Sequence, residues 1–361
     1  MKRYIGLDAH SQTCTFVVLG ESGKILKQEV VETHGTSLIN FVKLIPGHRL
    51  LCLEEGGQSE WLYHLLTPHV HGLHVVKGEG KRGNKNDALD AKELAERLRT
   101  NRIGTSIYKP PRRAGALREC ARSYQCLNRD VTKTKSRIKA AYRRYGLKYP
   151  KQQEMFLHSR REAMIALLPS CAQEPVGLLF DALATTSSLK QKASCAMLAE
   201  ARKLTTLKGI RSVPGMGEIR SCLLVSQVVT PFRFHRVRQF WSYVGLAVVQ
   251  RSSSDWMQGN NGAWTRANTM QTRGLTRSYN RLLKYVFKGA AVSVIQHHKS
   301  DPLYAGYCRS LESGVNPDMA KLTLARKIAA ITLAVWKQGG VYESSKVCSS
   351  QIDPGMSHVA H

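Results

Sequence analysis

The chain has 361 residues, and its 54 Lys and Arg against 26 Asp and Glu give a formal charge of +28. With 42% hydrophobic and 22% charged residues it reads as a folded protein, and its length suits two or three domains better than one small core. No apolar run approaches the roughly 20 residues of a membrane-spanning helix, and nine scattered cysteines without a CxxC pair argue against a zinc ribbon or a disulfide scaffold. The charge excess therefore points to a polyanion, and nucleic acid fits it better than an anionic membrane does. Such cysteine usage suits a reducing compartment, so a cytoplasmic location is expected. The opening Met-Lys-Arg-Tyr-Ile-Gly-Leu-Asp reads directly into a strand, without a signal peptide.

In chain order, Tyr4–Leu7, Thr13–Leu19 and Lys24–Glu32 read as strands, the last two joined through a Glu21–Gly23 turn. A helix is expected over 37–44, then a strand Arg49–Leu53 running into Glu54, Glu55, Gly56 and Gly57. Apolar spacing marks Trp61–Leu66 as helical and Leu73–Val76 as a short strand, followed by a basic loop at 78–84 and a helix Asp87–Arg99. A meander of strands followed by alternating strands and helices indicates one mixed sheet flanked by helices. Pro110 and Pro111 close this unit.

Residues 112–205 are helix-compatible, with residues 183–205 forming a second polar helix, so an antiparallel hairpin or coiled coil is expected. In the first part Arg112, Arg113, Arg118, Arg122, Arg129, Lys133, Lys135, Arg137, Lys139, Arg143, Arg144 and Lys148 accompany only Glu119 and Asp130. A charge run is ordinarily a solvated helix face, but one so one-sided in sign suits contact with nucleic acid. From Leu207 a third unit begins. Its Val213-Pro-Gly215-Met-Gly217 lies between two helical patterns, as in a helix–hairpin–helix turn, where glycines let a backbone approach phosphate. The stretch 251–280 reads as an exposed functional loop, helices return at 278–297 and 317–337, and the end of the chain is polar.

Four carboxylates come from three places. Asp8 follows the first strand, Glu54 follows another, and Asp87 and Asp90 share one side of a helix start by their i, i+3 spacing. Such a set can hold two Mg²⁺ ions, which suits phosphodiester chemistry because both the attacking and the leaving oxygens are stabilised. Each residue also has an ordinary role open to it. Asp87 can be a helix N-cap, Asp90 can complement the helix dipole, and Glu54 or Glu55 can occupy a surface turn. Ser252, Ser253 and Ser254 are the other candidates for chemistry, although three serines in a row are more often a loop. His64, His69, His71 and His74 lack the helical spacing and carboxylate partner of a zinc site.

On these motifs the chain resembles the DEDD transposases of the IS110 group of insertion sequences, relatives of the Piv DNA invertases. The N-terminal likeness rests on Gly-Leu-Asp8, Glu54-x-x-Gly57 and Asn86-Asp87-Ala-Leu-Asp90-Ala-x-x-Leu94-Ala. The C-terminal likeness rests on Val213-Pro-Gly-Met-Gly217, Phe232-Arg-Phe, Arg238-Gln-Phe-Trp-Ser-Tyr-Val-Gly-Leu246, the serine run and Ala325-Arg-Lys-Ile328. The resemblance implies a RuvC-like (RNase H-like) mixed-sheet domain at 1–108, a basic helical or coiled-coil region at 109–206, and a mostly helical transposase domain at 207–345 with a helix–hairpin–helix-like motif and a flexible tail at 346–361.

It also implies Asp8, Glu54, Asp87 and Asp90 as Mg²⁺ ligands, with Glu54 preferred over Glu55 because the family glycine then falls at Gly57. The implied nucleophile is Ser253, which leaves Ser252 and Ser254 open because Ser254 stands where the family has glycine. The family usually reads Thr-Asp where this chain has Asn86-Asp87. Strand exchange through a phosphoserine intermediate, a structured bridge RNA and an assembly of four subunits as a dimer of dimers are likewise implied. A Piv-like invertase without guide RNA, a metal-dependent junction nuclease and a non-catalytic nucleic-acid-binding protein are the competing readings.

Overall fold

The computed structural model describes residues 1–78, 86–104, 106–150, 152–252, 256–258, 262–266 and 270–345. The chain divides into two compact units, Met1–Arg113 and the chain from Ala114 onward.

The first unit contains β1 (Lys2–Ala9), β2 (Thr13–Leu19), β3 (Ile25–Glu32), α1 (Gly35–Lys43), β4 (His48–Glu54), α2 (Ser59–Leu66), β5 (Gly72–Val76) and α3 (Asp87–Arg99). The five strands form one sheet in the order β3-β2-β1-β4-β5. The first three strands pair antiparallel, and β4 and β5 add in parallel to β1. This mixed sheet is consistent with the RNase H-like expectation.

Strand alternation decides which helix covers which face. Ile5, Leu7, Phe16, Val18, Leu51 and Leu53 bury one face against Leu38, Phe41 and Val42 of α1 and Leu62 and Leu66 of α2. Each such side chain contributes about 1.5–3 kcal/mol by leaving water. On the other face, Val17 and Leu19 meet Ala91 and Ala95 of α3, while Cys52 and Val76 meet Leu94 and Leu98. Helix α3 can lie this close because Gly6 of β1 has no side chain. A Cβ there would sit 1.8 Å from the Ala91 carbonyl oxygen.

The second unit begins with α4 (Gly115–Arg144), followed by α5 (Gln152–Met155), α6 (Arg161–Ala166) and α7 (Ser170–Arg202). Val131, Ile138 and Tyr142 of α4 pack with Ala172, Val176, Phe180 and Leu183 early in α7, and Leu117 and Ala121 share a core with Met197 and Ala201 late in it. The two long helices are therefore antiparallel. Helix α7 starts 13 residues earlier than the sequence reading placed it, at Ser170 instead of residue 183. Pro175 looks like a breaker, yet it removes only one backbone bond, and the apolar stripe that follows it holds the helix on α4.

Beyond lie α8 (Thr206–Ser212), α9 (Glu218–Val228), α10 (Val237–Tyr243), β6 (Val248–Ser252), β7 (Trp256–Gln258), β8 (Trp264–Arg266), β9 (Met270–Leu275), α11 (Arg281–His297), α12 (Pro302–Glu312) and α13 (Pro317–Gln338). A core of Leu224, Phe240, Phe287, Ile328 and Trp336 joins the helices. The stretch 251–280 is not simply a loop: β6 pairs antiparallel with β9, and β7 with β8. Its Ser and Gly content conceals alternating Trp, Met and Thr, which suit strands. Helix α12 was not anticipated, although Asp301 caps it by accepting from the Leu303 amide at 2.9 Å and Pro302 occupies its first turn.

Candidate active site

The same alternation places the acidic residues. Asp8 has the parity of Gly6 and so belongs to the face that α3 covers. On β4, Leu51 and Leu53 face α1 and α2, so Glu54, in step with Cys52, also belongs to the α3 face. Strands β1 and β4 run parallel with Leu7 beside Leu53, and Asp8 and Glu54 are the next residue on each. Helix α3 then starts at Asp87, and its close seating over Gly6 brings its acidic first turn towards Asp8.

Asn86, and not Asp87, is the N-cap of α3: its Oδ1 accepts from the Ala88 amide at 3.0 Å. Asp87 is thereby left without the capping role that sequence alone allowed it. Both Asp87 and Asp90 lie in the first helical turn, where the unsatisfied amides favour negative charge.

Asp8 is the focus of this group. Its Oδ2 lies 3.2 Å from His10 Nε2, which is also 3.4 Å from Asp87 Oδ1. One ligand atom from each of Asp8, His10 and Asp87 falls within 4.8 Å of the others. Partial burial lifts the Asp8 carboxyl above the usual aspartate range; His10 opposes this, while Asp87 and Asp90 reinforce it. Three carboxylates near one point repel one another, and a cation among them relieves that repulsion. The oxygen and imidazole donors of Asp8, His10 and Asp87 therefore make a cluster of the kind that can hold a divalent metal.

Asp8, His10, Glu54 and Glu55 line one cleft of about 390 Å³. The two glutamates differ in what they do there. Glu55 is ion-paired with Lys109, whose side chain is only 4% exposed, and it accepts from the Ser59 hydroxyl at 3.2 Å. Lys109 also donates to Ser59 Oγ at 2.7 Å. Glu54 instead turns towards the segment that follows β5, where a Cβ at Gly78 would lie 2.9 Å from its Oε2.

His10 and Lys109 were missed in the sequence. The first was legible, because it stands two residues after Asp8 and so shares its side of the chain. The second had no local signal, since 54 residues separate it from Glu55.

Ser253 and Ser254 lie outside the described residues, as do most of the basic loop and the tail from 346. Ser252 ends β6, paired with Met270. In the turn between α8 and α9, Gly215 has φ 79° and a Cβ there would come within 2.4 Å of the Ala290 oxygen, so this glycine is required by contact with α11. Gly217 is open and begins α9.

Of the basic residues, Arg112 is exposed and its guanidinium lies 3.4 Å from the His64 carbonyl. The side chain of Arg113 lies outside the described residues. Arg118 is half-buried, and Arg122 pairs with Glu119 at 2.9 Å. Lys135 and Lys139 sit 4.9 and 5.9 Å over the Phe156 ring, whereas Lys133, Arg137, Arg143 and Arg144 are exposed. Among the described residues no helix is long and apolar enough to cross a membrane.

Comparison with known proteins agrees with the geometry. Residues 5–146 match the DEDD transposase family of IS110 elements, described as "Transposase", and residues 207–307 match the family described as "Transposase IS116/IS110/IS902 family". The chain is similar to the "Transposase for insertion sequence element IS1533" of Leptospira borgpetersenii, with 29% identity over 149 residues. That alignment covers 38% of this chain and 43% of the relative, less than half of either. The first family match runs through the carboxylate-bearing unit and on through α4, the second lies within the helical unit, and the chain belongs to the IS110 family of transposases.

Proposed function

We propose that the protein is a metal-dependent DNA transposase that exchanges strands through a covalent serine intermediate. The observation that carries this reading is the convergence of Asp8 and Glu54, on adjacent parallel strands, with the acidic first turn of α3. A bound divalent ion, Mg²⁺ in the simplest case, supplies charge stabilisation to the attacking and leaving oxygens of a phosphodiester. Asp8, Glu54, Asp87 and Asp90 would hold it. His10 orients Asp8 through its 3.2 Å contact, the part that an outer-shell histidine plays beside a carboxylate ligand.

The family resemblance adds the serine, Ser253 by position with Ser252 and Ser254 as alternatives. Its hydroxyl attacks the phosphorus and releases a 3′-hydroxyl, which carries away a proton while phosphoserine forms. A 3′-hydroxyl from another strand then attacks the phosphoserine and returns the serine hydroxyl, so the number of phosphodiester bonds is unchanged and no nucleotide cofactor is needed. A tetramer sharing residues between subunits, a helix–hairpin–helix-like turn at Gly215 and Gly217, and a structured bridge RNA that selects sites by pairing belong to the same reading.

The test is strand exchange on DNA carrying the element's ends, with adducts resolved on denaturing gels. Asp8→Asn is expected to reduce exchange by more than about 100-fold, since even outer-shell partners of a metal cost about 10–100-fold. Ser253→Ala is expected to abolish the adduct and spare DNA binding. Free 5′-phosphate ends without an adduct would instead identify a water-using nuclease. Exchange that persists after RNase treatment of a nucleic-acid-free preparation would remove the bridge RNA from the mechanism.

A further inference from the structure

The second unit holds a groove of about 820 Å³ where α4, α9 and α11 meet, and the chemistry proposed above makes no use of it. Its lining includes two tyrosines, Tyr124 and Tyr285, three arginines, Arg129, Arg220 and Arg281, and the amide of Asn128. Tyr285 is 71% exposed, so its ring is open to a ligand beside these cations. Tyr124 is half-buried, and burial together with nearby Tyr285 holds its hydroxyl above the ordinary tyrosine range.

The charge in the groove is one-sided. Glu218 also lines it, but its carboxylate is paired with Arg211 at 2.8 Å. Arg220 donates from its guanidinium to the Gly215 carbonyl at 2.8 Å, which fixes the end of its side chain. Arg129 and Arg281 are exposed and make no ion pair with a carboxylate among the described residues. An apolar peptide has no use for three arginines, and an acidic peptide has little use for an exposed aromatic ring beside them. A nucleotide uses both.

We propose that this groove binds an unpaired stretch of single-stranded DNA, with a base stacked on Tyr285 and the neighbouring phosphates held by Arg129 and Arg281. The volume matches small-molecule-sized sites and so suits one or two nucleotides instead of a duplex. Stacking on an exposed ring flanked by cations is how proteins hold single strands without reading sequence. The assignment to DNA rests on the transposase reading, in which strand exchange exposes unpaired ends. The binding itself does not require the carboxylate centre.

The test uses the full-length protein in buffer containing a chelator, so that the outcome is independent of metal and of catalysis. Fluorescence anisotropy follows a labelled oligo-dT, the matching duplex and oligo-U. Tyr285→Ala is expected to weaken oligo-dT binding by on the order of tenfold while duplex binding stays the same, and Tyr285→Phe is expected to restore it. Arg129→Gln and Arg281→Gln are each expected to lower the salt dependence of oligo-dT binding by about 0.7 in log–log slope. Photo-crosslinking with 4-thiothymidine is expected to label peptides containing Tyr285 or Tyr124. Unchanged oligo-dT binding by Tyr285→Ala, or equal losses on single strand and duplex, would overturn the proposal. Tighter binding of oligo-U than of oligo-dT through the same residues would overturn the assignment to DNA. Loss of strand exchange with intact groove binding would count against the transposase reading alone.

Discussion

Adjacent residues of the same type are given different tasks by strand geometry, and Glu54 and Glu55 illustrate this. Glu54 continues the α3-facing side of β4, while Glu55 neutralises Lys109, which is almost completely buried. Glu54→Gln is expected to weaken Mn²⁺ or Mg²⁺ binding in a calorimetric titration. Glu55→Gln is expected to spare that binding and to lower the urea midpoint, costing about 1–2 kcal/mol, because it removes the carboxylate from the Lys109 ammonium while Glu55 itself is 43% exposed. In the sequence this choice could be made only by resemblance, because Leu50-Leu-Cys-Leu53 is apolar at every position and shows no alternation. At the start of α3 the sequence offered the cap to Asp87, but it belongs to Asn86, itself a preferred N-cap residue, whose side chain accepts from the Ala88 amide. Asn86→Ala is expected to cost about 1 kcal/mol in the same melts.

At the scale of elements, the carboxylate group depends on how α3 sits on the sheet. Gly6 permits contact between backbones that no other residue allows, since a Cβ would be 1.8 Å from Ala91 O and 2.7 Å from Ala95 N. Gly6→Ala is expected to cost at least about 1–3 kcal/mol as overpacking and to weaken metal binding, although no ligand has been changed. Cys52 reports on the same docking. Buried between the sheet and α3, its thiol is pushed up to about 12, and Cys222 in the second unit is pushed up to about 11.

At pH 8 iodoacetamide is expected to modify exposed Cys126, Cys171 and Cys195 and to spare Cys52 and Cys222, as read by mass spectrometry. In Gly6→Ala, Cys52 is expected to become reactive and Cys222 to stay protected. Because both folded thiols titrate above the ordinary value of 9.0, their contribution to stability is complete below pH 9 and declines as pH rises towards 11–12. Element boundaries were read closely where a cap or an alternation was present, as with α3 and β2. They were misread where composition misleads, as at Pro175 and in the Ser- and Gly-rich strands β6 to β9.

For the whole molecule, charge favours a class of partner and packing sets which charges are available. The excess of +28 suits a polyanion, but the basic residues of α4 are not equivalent. Lys135 and Lys139 lie over Phe156, and burial, followed by neighbouring Lys190 and Lys139, pulls Lys135 below the usual lysine range. Lys133, Arg137, Arg143 and Arg144 are exposed. Replacing all four with Gln is expected to lower the salt slope of duplex binding by about 0.9 for each residue that meets a phosphate. Lys139→Gln is expected to change the slope less and stability more, because its side chain packs on a ring.

By itself the sequence determined the mixed sheet and the helical remainder and singled out Asp8 and Asp87, which the fold brings together, because periodicity, composition and spacing along one chain carry that information. Only the tertiary structure separated Glu54 from Glu55, brought His10 between Asp8 and Asp87, assigned Lys109 its partner and formed the tyrosine–arginine groove from helices about 60 to 160 residues apart along the chain. These depend on strand register, on helix seating over Gly6 and on contacts between distant segments. No local pattern encodes them.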